Sequence, residues 1–190
     1  MEVKRCWGEK DDLARDYHDK EWGVPVHDDR ILFEFLILEG AQAGLNWMTI
    51  LKRREGYRRA FDNFDFNKIA KYGKKEFDRL IQDEGIIRNK LKIESTILNA
   101  KIFLEIRAEF DSFDKYLWAF VNNKPINNNP KTWKDIPAKT EISDKISKDL
   151  KKKGMKFVGS TIIYAFMQAV GMVNDHLTSC FRHKEISTMS

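Results

Sequence analysis

Two cysteines, four histidines and four prolines are few for a chain of 190 residues, and each scarcity removes a class of protein. Two cysteines cannot build a disulfide scaffold, and they point to a reducing compartment. The first residues, MEVKRCWGEKDD, hold no apolar core of a signal peptide. The longest apolar stretches, such as Thr161–Val173, are too short and too polar to span a bilayer. A cytoplasmic protein without a membrane partner is expected. Three of the four prolines (Pro125, Pro130 and Pro137) fall in one polar segment, so elsewhere little interrupts helices. What is present is 42% hydrophobic and 33% charged residues, a globular rather than disordered balance. The length allows one domain or two small, intimately packed ones.

Apolar residues recur at spacings of three and four, and strict alternation is rare, so the expected class is all-α. Asp28 or Asp29 can cap a helix through Ile31–Glu39, stopped by Gly40. Others are expected over Trp47–Phe61, Lys74–Glu84 closed by Gly85, Lys90–Phe110, and Ser112–Asn122. The longest should bury Leu91, Ile97, Leu98, Ile102 and Ile106. Residues 122–142 turn polar and read as a long ordered loop or a subdomain junction. No convincing strand pair is visible.

After that loop, Ser143 can cap a helix Asp144–Lys153 ended by Gly154. The turn Met155–Gly159 follows, then a helix from about Ser160 to Val173. Gly159 would let a ligand approach the backbone, and the free N–H groups of the next helix start can bind a phosphate. Lys145, Lys148, Lys151, Lys152, Lys153 and Lys156 supply a positive field; Lys52, Arg53, Arg54, Arg58 and Arg59 form a second basic cluster around Glu55. A polyanion partner explains both; a pair of solvated helix faces is the alternative.

The scarce metal-binding residues are paired. Cys6 and His18 stand near one terminus, and His176 and Cys180 near the other, four apart as on one helix face. Together they can make a tetrahedral Cys2His2 zinc site that staples the termini. The alternative is a small buried cysteine and ordinary histidines.

Glu39 breaks two rules at once. It follows Leu32, Phe35 and Leu36 by seven, four and three residues, which places a carboxylate on an apolar helix face. It also sits near the helix C-terminus, where the dipole disfavours an anion. A buried carboxylate would welcome a cationic or hydrogen-bond-donating ligand. Trp7, Tyr17, Trp22 and Trp47 flank it in sequence, and flat rings around a carboxylate would suit a flat, electron-poor base. The alternative is a glutamate that reaches solvent as the helix frays.

The segments CW at 6–7, YHDKEWGVP at 17–25, LEGAQAGLNWMTILKRRE at 38–55 and GMKFVGSTIIYAFMQAVGMVNDH at 154–176 closely resemble the DNA-3-methyladenine glycosylase I family. The similarity runs from about residue 4 to about residue 181. The resemblance implies a helix-hairpin-helix DNA glycosylase fold in a single domain, residues 1–190. It implies excision of N3-methyladenine from double-stranded alkylated DNA, with an abasic site and free 3-methyladenine as products. It places one structural zinc per chain on Cys6, His18, His176 and Cys180. It places base recognition on Glu39, and stacking on Tyr17 and Trp47 with Trp7 and Trp22 completing the pocket. DNA contact falls on the hairpin, through Lys156, Gly159, Ser160 and Thr161, and on Gly44 and Leu45 of the probing loop Gln42–Asn46. A monomer is implied. Ala14 departs from an aromatic carried by some members. Asp175, near the position of the wider superfamily's catalytic Asp, adjoins a zinc ligand and is assigned no such role. Thr161 stands where bifunctional relatives carry a lysine, which argues against Schiff-base chemistry. The rival readings are a non-catalytic, zinc-stapled DNA-binding module and a bifunctional glycosylase/lyase.

Overall fold

The structure is a computed structural model and describes residues 3–189. Its helices are α1 (Asp12–Lys20), α2 (Asp29–Gln42), α3 (Trp47–Leu51), α4 (Arg54–Ala60), α5 (Phe66–Ile69), α6 (Lys74–Leu80), α7 (Lys90–Phe110), α8 (Phe113–Trp118), α9 (Glu141–Lys152), α10 (Ser160–Ala169) and α11 (Phe181–Ser187). The chain is mostly helical, as its spacing predicts. One parallel pairing interrupts it: Ile126 lies beside Val173 and Asn127 beside Asn174. Two residues per strand are too few to leave an alternating pattern, which is why the sequence did not reveal them. No helix among the described residues is long and apolar enough to cross a membrane.

α2 is the axis of the fold. Every residue from Leu32 to Ala41 is buried, so the helix is enclosed on all sides rather than on one stripe. It packs against α3, α7, α8 and α10. Asp28 caps it through the N–H groups of Arg30 and Ile31, which satisfies two first-turn donors. The expected stop at Gly40 does not occur. The helix runs on to Gln42, because Gly40 gives the room that a hairpin from the far end of the chain requires: a Cβ there would meet Phe157 Cβ at 3.2 Å.

Other boundaries moved for identifiable reasons. The expected Trp47–Phe61 helix breaks at Lys52–Arg53 into α3 and α4. α6 ends at Leu80, and the Asp83 carboxylate takes the Gly85 N–H in a following turn, so Gly85 is not a helix cap. α9 starts earlier than expected: Thr140 is its cap, and Ser143 is the reciprocal partner in a capping box. α10 ends at Ala169 rather than near Val173. In α7, Ile102 and Ile106 are buried as expected, but Leu91 and Leu98 are exposed. α1 and α11 were not foreseen; both are short and dominated by polar residues.

Candidate functional site

The N-terminal segment, α1, the end of α2, α3 and α10 enclose a cleft of about 800 Å³. Trp7, Tyr17, Trp22, Glu39 and Trp47 all line it. Residues scattered over the first 47 positions are thus brought to one wall. α1 makes this possible. Capped by Asp11, it turns Ala14, Tyr17 and His18 inward at helical spacing. The rings meet at tilted or edge-to-face angles: the centroid of Trp7 is 5.9 Å from Tyr17 and 5.4 Å from Trp22, and that of Tyr17 is 5.3 Å from Trp47. Such tilted contacts suit aromatic quadrupoles.

Glu39 lies in the last turn of α2 and is 5% exposed. Among the described residues its carboxyl makes no hydrogen bond and no ion pair. Burial pushes its pKa up to about 8, which favours the neutral carboxylic acid in the free protein near neutral pH. Two more polar groups on this wall are buried without a partner among the described residues, the Tyr17 hydroxyl and the Trp47 indole N–H. Burial, then the neighbouring Glu39, holds the Tyr17 hydroxyl well above its usual range. Unsatisfied polar groups in a packed wall cost stability. Tyr17, Glu39 and Trp47 all line the cleft, so three unpartnered polar groups lie in or just behind its wall, where a polar guest can meet them.

Behind this wall sit the four candidate metal ligands. Cys6 Sγ lies 3.3 Å from His18 Nε2 and 3.6 Å from His176 Nδ1; Cys180 Sγ lies 3.4 and 3.6 Å from the same two atoms. In a tetrahedral zinc site, with Zn–S of about 2.3 Å and Zn–N of about 2.1 Å, neighbouring S and N ligands stand about 3.6 Å apart. The outward ring nitrogens each face an acceptor, Asp19 at 2.7 Å for His18 and the Trp22 carbonyl at 3.0 Å for His176. Both inward lone pairs therefore point at the shared centre. Arg5 in turn holds Asp19 at 2.7 Å. The donor set fits a four-coordinate ion. The local structure differs from the expected one: His176 and Cys180 are not on a helix face. They flank a turn closed by the Cys180 N–H on the Leu177 carbonyl, and Cys180 begins α11.

The cluster and the cleft share parts. Trp7 follows Cys6 and packs 5.2 Å from the His18 ring; the Trp22 ring lies 4.5 Å from His176. The four-residue cluster therefore packs directly against two of the aromatic walls.

The hairpin lies on another face of α2. Gly154, in a left-handed conformation, ends α9 as its position predicts. Lys156 and Thr161 are exposed, and Gly159 and Ser160 are half-buried. Gly159 is in ordinary extended backbone, but a Cβ there would point into open space. No side chain caps the first turn of α10, so its N–H groups stand free for an anion. Lys145, Lys148, Lys151, Lys152 and Lys156 are exposed; Lys153 is held by Glu109 at 2.8 Å. The other basic cluster is only partly free: Lys52 and Arg59 are exposed, but two of its arginines are tied up. Arg54 is buried against Glu34 and Glu21, and Arg58 binds Glu34 and Glu55. Gly44 (φ +77°) and Leu45 are exposed in the turn after α2, outside the cleft.

The methyladenine glycosylase family model matches residues 7–183. This chain belongs to that family. A DNA-3-methyladenine glycosylase 1 from Escherichia coli is 48% identical over 179 residues, covering 94% of this chain and 96% of the relative. A crystal structure of a 3-methyladenine DNA glycosylase I, also 48% identical, superposes with a TM-score of 0.91 over 94% of this chain and 98% of that one. A Staphylococcus aureus 3-methyladenine DNA glycosylase I, described for its recognition of 3-methyladenine, is 37% identical with a TM-score of 0.89, over 92% of this chain and 93% of that one.

For a methyladenine glycosylase, several residues of this cleft gave no signal in the sequence. Trp133 lines its mouth from the loop before α9 and is 48% exposed. Gln168 lines it from α10, its amide fixed on Asp175 at 2.8 Å. Asp175 itself is buried and takes further hydrogen bonds from Tyr164 and Asn128. Those three donors hold its carboxylate in place beside His176. A polar residue reveals such a role only once its distant partners are known.

Proposed function

We propose that this chain is a monofunctional DNA-3-methyladenine glycosylase, a base-excision repair hydrolase of the N-glycosidic bond. The observation that carries the reading is Glu39, a buried carboxyl without a partner among four aromatic rings. N3-methylation makes adenine cationic and weakens its bond to deoxyribose, so the base is already a good leaving group. The protein's task is to find it and hold it.

The helix-hairpin-helix element α9–α10 would grip phosphates through Lys156, Gly159, Ser160 and Thr161. Gly44 and Leu45 would probe the gap as the nucleotide leaves the stack. Tyr17 and Trp47 would stack on the flipped base, with Trp7 and Trp22 closing the pocket. Glu39, ionised by the arriving cation, would accept hydrogen bonds from its edge, and the orphaned Tyr17 hydroxyl offers a further bond. Neutral adenine gains less from the same carboxylate while unstacking costs as much, so discrimination is a difference between two binding energies. As the C1′–N bond breaks, its electron pair goes to the base; water adds at C1′ and releases its proton to solvent. Thr161 supplies no amine for a Schiff base.

Cys6, His18, His176 and Cys180 would hold one zinc per chain, which ties the termini and sets Trp7 and Trp22; it takes no part in the reaction. Metal analysis should find one zinc per chain with both thiols protected; metal-free protein with freely reactive thiols would refute the staple. The protein is read as one domain over residues 1–190, of which 1, 2 and 190 lie outside the described residues. It is read as a cytoplasmic monomer acting on double-stranded DNA. The direct test is incubation with methylated duplex DNA and identification of the released bases. Release of 3-methyladenine, with no borohydride-trapped adduct, supports the reading. DNA binding without base release would favour a non-catalytic module instead.

A further inference from the structure

α7 reaches both proposed DNA contacts with two side chains one above the other. Lys92 Nζ donates to the carbonyls of Ala41 at 2.7 Å and Ala43 at 2.8 Å. These belong to the end of α2 and the turn that presents Gly44 and Leu45. Seven residues on, two helical turns along the same face, Asn99 binds the hairpin. Its amide donates to the Lys156 carbonyl at 2.9 Å, and its carbonyl accepts the Lys156 N–H at 2.9 Å. Asn99 is buried and Lys92 half-buried, without an ion-pair partner among the described residues. Both contacts span about fifty residues or more of sequence.

We infer that α7 is a gauge: Lys92 positions the probing loop, and Asn99 positions the phosphate-gripping hairpin, at a fixed separation on duplex DNA. The inference rests on the glycosylase reading and concerns positioning residues, not groups that touch the base. A lysine bridging two main-chain carbonyls satisfies acceptors that the helix end leaves open, and its charge suits the negative end of the α2 dipole. The turn it holds carries Gly44 at φ +77°; besides its own backbone bonds, such as Leu45 N–H to the Gln42 carbonyl at 2.7 Å, no other side chain among the described residues hydrogen-bonds its backbone before Asn46 caps α3. Without Lys92 the turn would sample other shapes. The probing residues would then miss the gap in a duplex, and misplacement on the ångström scale is enough to slow a reaction severely. Glu39 and the rings are held by other contacts, so the base pocket itself should be unaffected.

The test compares wild type with Lys92→Met and Lys92→Arg. Excision under single-turnover conditions is measured on methylated duplex and on methylated single strands, with binding of free 3-methyladenine and the salt dependence of duplex binding alongside. Lys92→Met should slow duplex excision on the order of tenfold to a hundredfold. Single-strand excision and free-base affinity should stay within about twofold, because neither needs the probing loop. Lys92→Arg, which can still donate to both carbonyls, should recover most of the loss. If Lys92→Met does not fold, Lys92→Gln, with fewer donors, should show the same duplex-only loss at smaller amplitude. Equal losses on both substrates together with a lowered Tm would overturn the gauge in favour of a plain stability role. A salt slope reduced by about 0.9 would overturn it in favour of a phosphate contact. Unchanged duplex excision would overturn it outright. A wild-type protein that released no base from either substrate would instead remove the glycosylase reading itself.

Discussion

Two glutamates on one helix, five residues apart, meet opposite fates. Glu34 is buried near the middle of α2 and is bound by Arg54 at 2.6 Å and Arg58 at 2.9 Å. Arg54 is itself buried, stacks over Phe35 and reaches Glu21. Glu39 is as deeply buried and has no partner among the described residues. A buried carboxylate with matched cations is part of the scaffold. One without them carries a penalty that protonation reduces and a ligand can relieve. Burial alone therefore does not mark a functional acid; burial without compensation does.

The largest effect should come from destroying the compensated end. Glu34→Ala leaves the buried Arg54 with the part-exposed Glu21 as its remaining carboxylate, and thermal or denaturant unfolding should show a loss of up to about 3–5 kcal/mol. The folded fraction should still bind free base. Glu39→Gln should do the reverse: it should fold at least as well as wild type, while single-turnover excision slows by about 1.5–3 kcal/mol in barrier.

The pH dependence sharpens the contrast. The Glu39 pKa is raised to about 8 in the folded chain from an ordinary 4.5. The folded state therefore binds this proton more tightly than the unfolded state. Stability from this group is full below about pH 4.5 and is lost as pH rises toward about 8. Unfolding curves of wild type and Glu39→Gln should diverge across that window, with Gln gaining relative stability at high pH. The N3-methylated base is cationic while still bonded to deoxyribose and favours the carboxylate, so binding of methylated DNA near pH 7 should release a proton. Titrations in buffers of different ionisation enthalpy would show this, and Glu39→Gln should abolish it. The smallest effect on either glutamate should come from Gly159→Asp, which puts an anion and a Cβ at the α10 start. It should weaken damaged and undamaged duplexes alike, leaving free-base binding unchanged, because phosphates carry no lesion information.

The sequence showed these two acids unequally. Glu39 is legible because it violates helix patterning in a segment otherwise apolar. Glu34 lies in the same segment and was overlooked, because its partners are 20 and 24 residues away and helical spacing says nothing about them. For the same reason Arg54 and Arg58 looked like part of a free basic patch. The four candidate ligands were visible through scarcity, although the four-residue spacing of His176 and Cys180 comes from a turn, not a helix face. The hairpin was legible through Gly154 and its lysines, whereas the true cap of α9, Thr140, was hidden in a proline-bearing stretch that reads as loop. Lys92 and Asn99 look like any residues of a long helix. Only the folded chain shows them reaching α2 and the hairpin.

The central claim is that Glu39 is unpaired in the protein because its partner is the damaged base. Isothermal titration of free 3-methyladenine into wild type and Glu39→Gln tests it most directly. The account predicts binding by wild type and a loss of about 1.5–3 kcal/mol in Glu39→Gln, with folding intact. Equal affinity for the two proteins would contradict it and would leave the buried carboxyl without a purpose in recognition.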